Sequence, residues 1–418
     1  MACSVRCRTE AAEPADAICA RPDVRKHVNS DRQTDRGAGL KRHVPEIEGE
    51  RVKVIQMLPT FMFGDAIGNE ALEIDRILKD AGYDTTIYAE NISDSIPKNI
   101  VHDIRQGFEE PDRDDVILYH MSIAWPYFPC IQRAQCRKIA LYHNVTPASF
   151  FKEYHKDFYD GCMSGLNEVK RLKNEFDYCL ADSEFNRQDL ISYGYSCPID
   201  VLPLIIPFGD YRKKPDSRVI RKYSSPNPCA KGTNVAFVGR IVPNKKFEDI
   251  IAAFTLYQRN YDADAKLFLV GNYGKDDVYF CRLRDYVQEL GVKNVFFTGH
   301  ISFAEILAYY RIADVFVCMS EHEGFCVPIV EAMLFKTPII AFDAGAVADT
   351  LGDGGILLKE KDPLLTAGLI DRVARDRELR EEILKGQRRQ LSRFRFEKIR
   401  DLFLRYLSDF CSRKTEEN

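Results

Sequence analysis

The stretch EHEGFCVPIVE, Glu321 to Glu331, sets two carboxylates, Glu323 and Glu331, around a turn-like EGF and a proline. Acids at that spacing either line a solvated helix face or grip a ligand at a helix start. The run DVFVCMS before them reads as a buried strand, and Pro328 has the fixed φ suited to the first helical position. Free N–H groups at such a start carry partial positive charge and suit a phosphate. Glu331, about one turn inside the helix, is then placed for the hydroxyls of a ribose on that phosphate, and Glu323 for a sugar on the other side.

A diphosphate needs its charge balanced. In FVGRIVPNKK, Arg240 leaves a strand end and Lys245 precedes the next helix. Arg offers a planar fork to phosphate oxygens and Lys a point charge; alone, the stretch would read as a solvated basic loop. Asp262 and Asp264 spell DxD, but between a helix and a strand start, away from the ligand-binding ends, so no metal site is expected. His143, with Asn144 after it, ends the strand RKIALYHN and is expected to point into a cleft. His120 in VILYHMS reads as structural, and Trp125 either stacks on a sugar or packs a loop. The loop GDAIGNE holds Gly64, Asp65 and Gly68 without GxGxxG spacing, so it either closes on a ligand or only shapes a strand-to-helix turn.

The elements that must position these residues are strands and helices in alternation. RVKVIQMLP is the first buried strand, bounded by Pro59; EALEIDRILKDAGYD has helical periodicity with Gly82 at its C-cap; Ser183 suits the N-cap of EFNRQDLISYG. This predicts an α/β chain of two Rossmann-like, doubly wound parallel sheets. The first spans 51–210 and the second 233–395, joined by a linker over 211–232 rich in Pro, Ser and basic residues. Residues 396–418 form a basic, aromatic C-terminal helix, and polar, aperiodic residues 1–49 are expected to be disordered. In such sheets ligands bind beyond the carboxyl ends of the strands, where every loop singled out above lies.

Composition limits the alternatives. The 418 residues are 45% apolar with no run long enough to span a bilayer, and a net charge of -4 argues against a nucleic-acid binder. Thirteen scattered cysteines without a CxxC pair suggest neither zinc knuckle nor thioredoxin-like site, and the N-terminus lacks the apolar core of a signal peptide. A cytoplasmic protein is expected.

FVGRIVPNKKFEDIIAAF, followed by SEHEGFCVPIVEAMLFKTPIIAFDAGAVADTLGDGGILL, resembles the retaining glycosyltransferases of family 4, which have the GT-B fold. Their signature of a glutamate, seven residues and a second glutamate is met by Glu323 and Glu331, and the likeness covers about residues 51–410. The resemblance implies a hexosyltransferase that builds a surface polysaccharide or glycoconjugate with retention of configuration. Its donor would be a nucleotide-diphosphate sugar of GDP-mannose or UDP-glucose type, its acceptor a glycan or lipid-linked glycan, and no metal or other cofactor is implied. Arg240 and Lys245 would meet the diphosphate, Glu331 the ribose and Glu323 the donor sugar within the Gly324–Phe325 turn. Gly64, Asp65 and Gly68 would close on the ligands, and His143 would contact the transferred sugar with Asn144 beside it. The family usually has glycine after the lysine, where this chain has Lys246, so either lysine could meet the phosphate. The C-terminal helix is expected to cross back to the first domain; peripheral contact with the inner face of a membrane is the lesser alternative. A sugar-nucleotide epimerase or hydrolase on the same fold, or a silent nucleotide-sugar-binding subunit, are the competing readings.

Overall fold

The structure, a computed structural model, describes residues 46–47, 50–62, 65–94, 96–97, 99–224 and 232–412. Of the extension expected to be disordered, only Glu46–Ile47 (β1) lies within them, paired antiparallel with Glu50–Arg51 (β2). The rest of residues 1–49, and Gly64, lie outside the described residues.

The first domain alternates β3 (Lys53–Phe61), α1 (Ala66–Ala81), β4 (Asp84–Ile92), β5 (His102–Asp103), β6 (Val116–Met121), α2 (Phe128–Arg133), β7 (Arg137–Tyr142), α3 (Lys156–Arg171), β8 (Tyr178–Ala181), α4 (Glu184–Ser192) and β9 (Ile199–Val201). Its seven strands are all parallel, in the order β5-β4-β3-β6-β7-β8-β9. The second contains α5 (Ser217–Tyr223), β10 (Asn234–Val238), α6 (Phe247–Asn260), β11 (Lys266–Val270), α7 (Val278–Leu290), β12 (Val295–Phe297), α8 (Phe303–Ile312), β13 (Val315–Cys318), α9 (Val327–Leu334), β14 (Ile339–Phe342), α10 (Val347–Leu351), β15 (Ile356–Leu358), α11 (Pro363–Arg375) and α12 (Arg377–Leu391). Its sheet, also all parallel, runs β12-β11-β10-β13-β14-β15. Near-continuous apolar strands such as NVAFV and VILYHM are buried throughout, as sheets covered on both faces require. In each sheet the strand order reverses beside the first strand, which opens a crevice at the carboxyl ends.

Two elements differ from expectation. Strand β3 runs through Pro59 to Phe61, because β6 pairs with it only as far as Met57 and the absent N–H breaks no bond on that side. The expected linker contains α5, capped by Asp216, whose Val219, Ile220 and Tyr223 pack on the core of the second domain. Helical apolar spacing thus prevails over the Pro- and Lys-rich composition. Beyond α12, α13 (Phe396–Ser412) begins where the C-terminal helix is expected.

Helix α13 does return to the first domain. Ile399, Phe403, Leu407 and Phe410, spaced by three or four residues, share a core with Val52, Val54, Leu180 and Leu202. Arg137, beginning β7, lies 4.0 Å over the Phe410 ring and donates hydrogen bonds to the carbonyls of Phe410 and Cys411, a cation at the negative end of the helix. Among the described residues no helix is long and apolar enough to cross a membrane. Phe403 is 1% exposed, so Phe403→Ala should cost about 3–5 kcal/mol in urea unfolding. A loss well under 1 kcal/mol would mean that α13 is not part of the cooperative unit.

Candidate functional site

At the carboxyl ends of the strands lies a cavity of about 420 Å³. The first domain contributes Asp65, His143, Asn144 and Asp182 to its wall, and the second Arg240, Lys245, His322, Glu323, Gly324, Phe325 and Cys326. Of the described residues expected to contact ligands, Gly68 and Glu331 are not part of that wall.

On the second-domain side, Arg240 follows β10 and spans toward α3, its guanidinium 5.2 Å from the Phe158 ring. Lys245 pairs with the Glu323 carboxylate inside the cavity wall. Burial works against the ammonium, but Glu323 outweighs it and raises the Lys245 pKa. Lys246 points elsewhere, to Glu248 at 3.3 Å and Glu321 at 3.6 Å, so Lys245 is the lysine that faces the cavity. Lys246 has φ 53° and ψ 53°, the left-handed conformation that costs a side-chain-bearing residue about 1–2 kcal/mol and explains why a glycine would suit the position. Helix α9 begins after Cys326, also left-handed at φ 71°, and no side chain caps it. Its first turn is therefore open to an anion in the wall of the cavity. Cys326 is only 4% exposed and its Sγ lies 4.0 Å from that of Cys318.

Glu331 is not directed at the cavity. Its two carboxylate oxygens accept from the hydroxyls of Tyr211 and Tyr310, and burial, partly countered by these bonds, raises its pKa. Gly68 answers a packing need: a Cβ there would stand 2.6 Å from the Met62 carbonyl oxygen, so this glycine lets α1 start against the end of β3. Asp65 caps α1, accepting from Gly68 N at 3.4 Å. Trp125 is 2% exposed, and its indole donates to Glu90 at 3.1 Å, which makes it a packed loop aromatic. In DxD, Asp262 accepts the N–H groups of Thr233 and Asp264, fastening a turn.

The first-domain side holds a network that the sequence did not announce. The His143 side chain is 3% exposed, with Nδ1 3.1 Å from Asp182 Oδ2 and 3.6 Å from Glu70 Oε2, and Nε2 3.0 Å from His120 Nδ1. His143 lines the cavity, yet both of its ring nitrogens are held by protein groups. His120 continues the chain to Gln56 Oε1 at 3.0 Å, and Gln56 is itself fixed by donating to the Ala71 carbonyl at 3.1 Å. Burial lowers the His143 pKa, but Asp182, then Glu70 and Asp65, outweigh it and bring it to about 8. Burial raises Glu70 to about 8, against the pull of His143. Burial also lowers His120 well below its usual value.

The two domains touch within the cavity wall. Ser183, the N-cap of α4, donates to the Gly324 carbonyl at 2.7 Å. His322 Nε2 is 2.6 Å from Asn144 Oδ1, while the Asn144 amide donates to Asn186 at 2.9 Å and Asp189 at 3.1 Å. A Cβ on Gly324 would stand 2.7 Å from Asn144 Cβ and 3.1 Å from the His143 carbonyl oxygen. The glycine of EGF is therefore required by a contact across the cleft. Phe325 packs edge-on to Phe394, 5.5 Å between ring centres.

Two sets of potential metal-ligand atoms converge among the described residues, Glu70/His120/His143 and Cys318/Glu323/Cys326. In the first the two imidazoles bond each other, and in the second Glu323 already holds the Lys245 ammonium, so both sets are engaged internally.

Residues 224–390 match the family Glycosyl transferases group 1. The chain is 26% identical over 252 residues to D-inositol 3-phosphate glycosyltransferase of Corynebacterium glutamicum, across 58% of this chain and 60% of that one. It is 36% identical over 115 residues to the GDP-mannose-dependent alpha-mannosyltransferase of Mycolicibacterium smegmatis, across 28% of this chain and 27% of that one. The chain thus spans less than two thirds of the length of either relative. Among solved structures it superposes on sucrose-phosphate synthase from Thermosynechococcus elongatus with TM-score 0.67 and 18% identity, over 87% of this chain and all of that one. Anabaena HepE in complex with UDP and glucose gives TM-score 0.65 and 18% identity, over 86% of this chain and all of that one. The fold is GT-B.

Two outcomes follow from the geometry. Gly324→Ala should destabilise the chain by about 1–3 kcal/mol through overpacking. Gly161→Ala, in α3 with open space around its Cβ, should stabilise it by about 0.5–1 kcal/mol; urea midpoints with equal effects would refute the contact across the cleft. His143 and Glu70 both have folded pKa values of about 8, above their ordinary 6.5 and 4.5. Their contribution is full at low pH and is lost as pH rises through about 8. The urea midpoint should fall from pH 7 to 9, and less steeply in Glu70→Gln, which mimics the protonated acid; an unchanged slope would contradict the assignment to Glu70.

Proposed function

We propose that this chain is a retaining hexosyltransferase that uses a nucleotide-diphosphate sugar and a glycan or glycoconjugate acceptor, without a metal. The observation that carries the reading is the convergence of Arg240, Lys245 and the uncapped start of α9 on one cavity, with Glu323 beside them. Three positive features in a wall that also holds carboxylates, amides, imidazoles and apolar side chains suit a diphosphate. The match of residues 224–390 and the activities of the named relatives, one GDP-mannose-dependent, support the donor class; the UDP and glucose held by Anabaena HepE support it from the side of the fold.

Departure of the nucleoside diphosphate builds negative charge on phosphate and positive charge on the anomeric carbon, so the main demand is electrostatic. Arg240, Lys245 and the α9 dipole answer the first. When phosphate takes the Lys245 ammonium, Glu323 is released from its ion pair and becomes an acceptor for donor hydroxyls. His143, with both ring nitrogens engaged, is poorly placed as a base. This favours a same-face attack in which the leaving phosphate takes the acceptor's proton.

Calorimetry and turnover with GDP-mannose and UDP-glucose test the reading. Arg240→Ala should weaken donor binding about ten- to hundredfold, the loss of charged hydrogen bonds. Glu323→Gln should lower kcat by at least about tenfold while nucleoside diphosphate affinity changes far less. Unchanged donor affinity in the first, or equal losses in the second, would overturn these roles. Epimer or free sugar formed from donor alone would point instead to an epimerase or hydrolase.

A further inference from the structure

We propose that Asp182, which lines the cavity, reads a hydroxyl of the hexosyl unit with its unpartnered oxygen while His143 holds the other. The inference rests on the donor-sugar reading above and adds a residue to it. Asp182 stands one position beyond β8, as His143 stands one position beyond β7, and both line the cavity. It is 2% exposed, its Oδ2 faces His143 Nδ1 at 3.1 Å, and its Oδ1 has no hydrogen-bond partner. A buried carboxylate oxygen without a donor costs free energy, and a ligand hydroxyl arriving in the cavity would repay it.

The proton inventory of the network supports an anionic Asp182. Gln56 donates its amide to the Ala71 carbonyl, so its Oε1 turns to His120 as an acceptor. His120 Nε2 must then carry the hydrogen. Burial keeps His120 neutral, so its Nδ1 is a lone pair and His143 Nε2 donates to it. His143 Nδ1 faces Asp182, Glu70 and, farther off, Asp65, and it too must donate if one of these is ionised. Asp182 is nearer than Glu70, by 3.1 Å against 3.6 Å. Burial raises both acids, and Asp182, the nearer of the two, is the carboxylate that the His143 Nδ1 hydrogen reaches. His143 then holds a hydrogen on each ring nitrogen, one toward His120 and one toward Asp182. An anionic Oδ1 accepts only, so it selects a hydroxyl and rejects phosphate, which belongs to Arg240 and Lys245 across the cavity.

The test separates sugar from nucleotide. Wild type and Asp182→Asn are titrated by calorimetry with UDP and GDP, and with UDP-glucose, UDP-N-acetylglucosamine and GDP-mannose. In Asp182→Asn the nucleoside diphosphate should bind as in wild type, which also reports that the variant is folded. The bound nucleotide sugar should lose about ten- to hundredfold, the size of one hydrogen bond to a charged acceptor. Equal affinity of the sugar ester for both proteins overturns the inference. If wild type binds none of the five compounds, the donor-sugar reading itself fails and this inference with it.

A second measurement uses wild type alone and covers a variant that fails to fold. In ¹⁵N-histidine spectra at pH 7, the His143 ring, assigned by its loss in His143→Gln, should show hydrogens on both nitrogens. Addition of the nucleotide sugar, but not of the nucleoside diphosphate, should move its Nδ1 resonance. A neutral ring, or a resonance that responds equally to both compounds, overturns the inference.

Discussion

The width of the cavity is fixed by one close approach. Gly324 carries no Cβ, and the space a Cβ would need is taken by Asn144 and the His143 carbonyl of the other domain. Two hydrogen bonds, Ser183 to the Gly324 carbonyl and His322 to Asn144, fasten the same point from either side. With that contact made, Arg240 and Lys245 stand opposite His143 and Asp182 at a separation set by backbone rather than by flexible side chains. Any larger residue at position 324 would change the distance between the charges on the two walls.

Around that contact, carboxylates that water would normally stabilise are buried in three different ways. Glu323 is matched by an ammonium, Asp182 by an imidazole, and Glu331 by two tyrosine hydroxyls. The first arrangement can exchange its partner for an incoming phosphate. The second is locked by its own supporting chain through His120 and Gln56. The third is anchored between α8, α9 and the segment entering the second domain, through Tyr310 and Tyr211. The two glutamates of the EGF stretch therefore serve differently, although their spacing suggested a matched pair.

Much of the architecture was legible. Apolar runs gave the strands, Gly82 takes the left-handed C-cap of α1, and Ser183 caps α4. Arg240, Lys245, His143, Asn144, Glu323 and the EGF turn all reach one cavity because each follows a parallel strand's carboxyl end. The sequence could not reveal side-chain direction. Whether Glu331 turns to a ligand or to Tyr211 depends on a residue 120 positions away. Glu70, on the buried face of α1, looks like any helix acid until α1 and β7 bring it 3.6 Å from His143. Asp182 did carry a signal, since a polar residue following an apolar strand occurs there as at His143. Composition misled at α5, where three well-spaced apolar residues held a helix among prolines and lysines.

The return of α13 makes the chain pass between the domains twice, once ahead of α5 and once between α12 and α13. A single crossing would be a swivel, free to turn about any axis through it. Two crossings define a line. Any rotation of one domain on the other is thereby confined to that line, as a door moves on two pins, and closing would return Gly324 to the same place against Asn144.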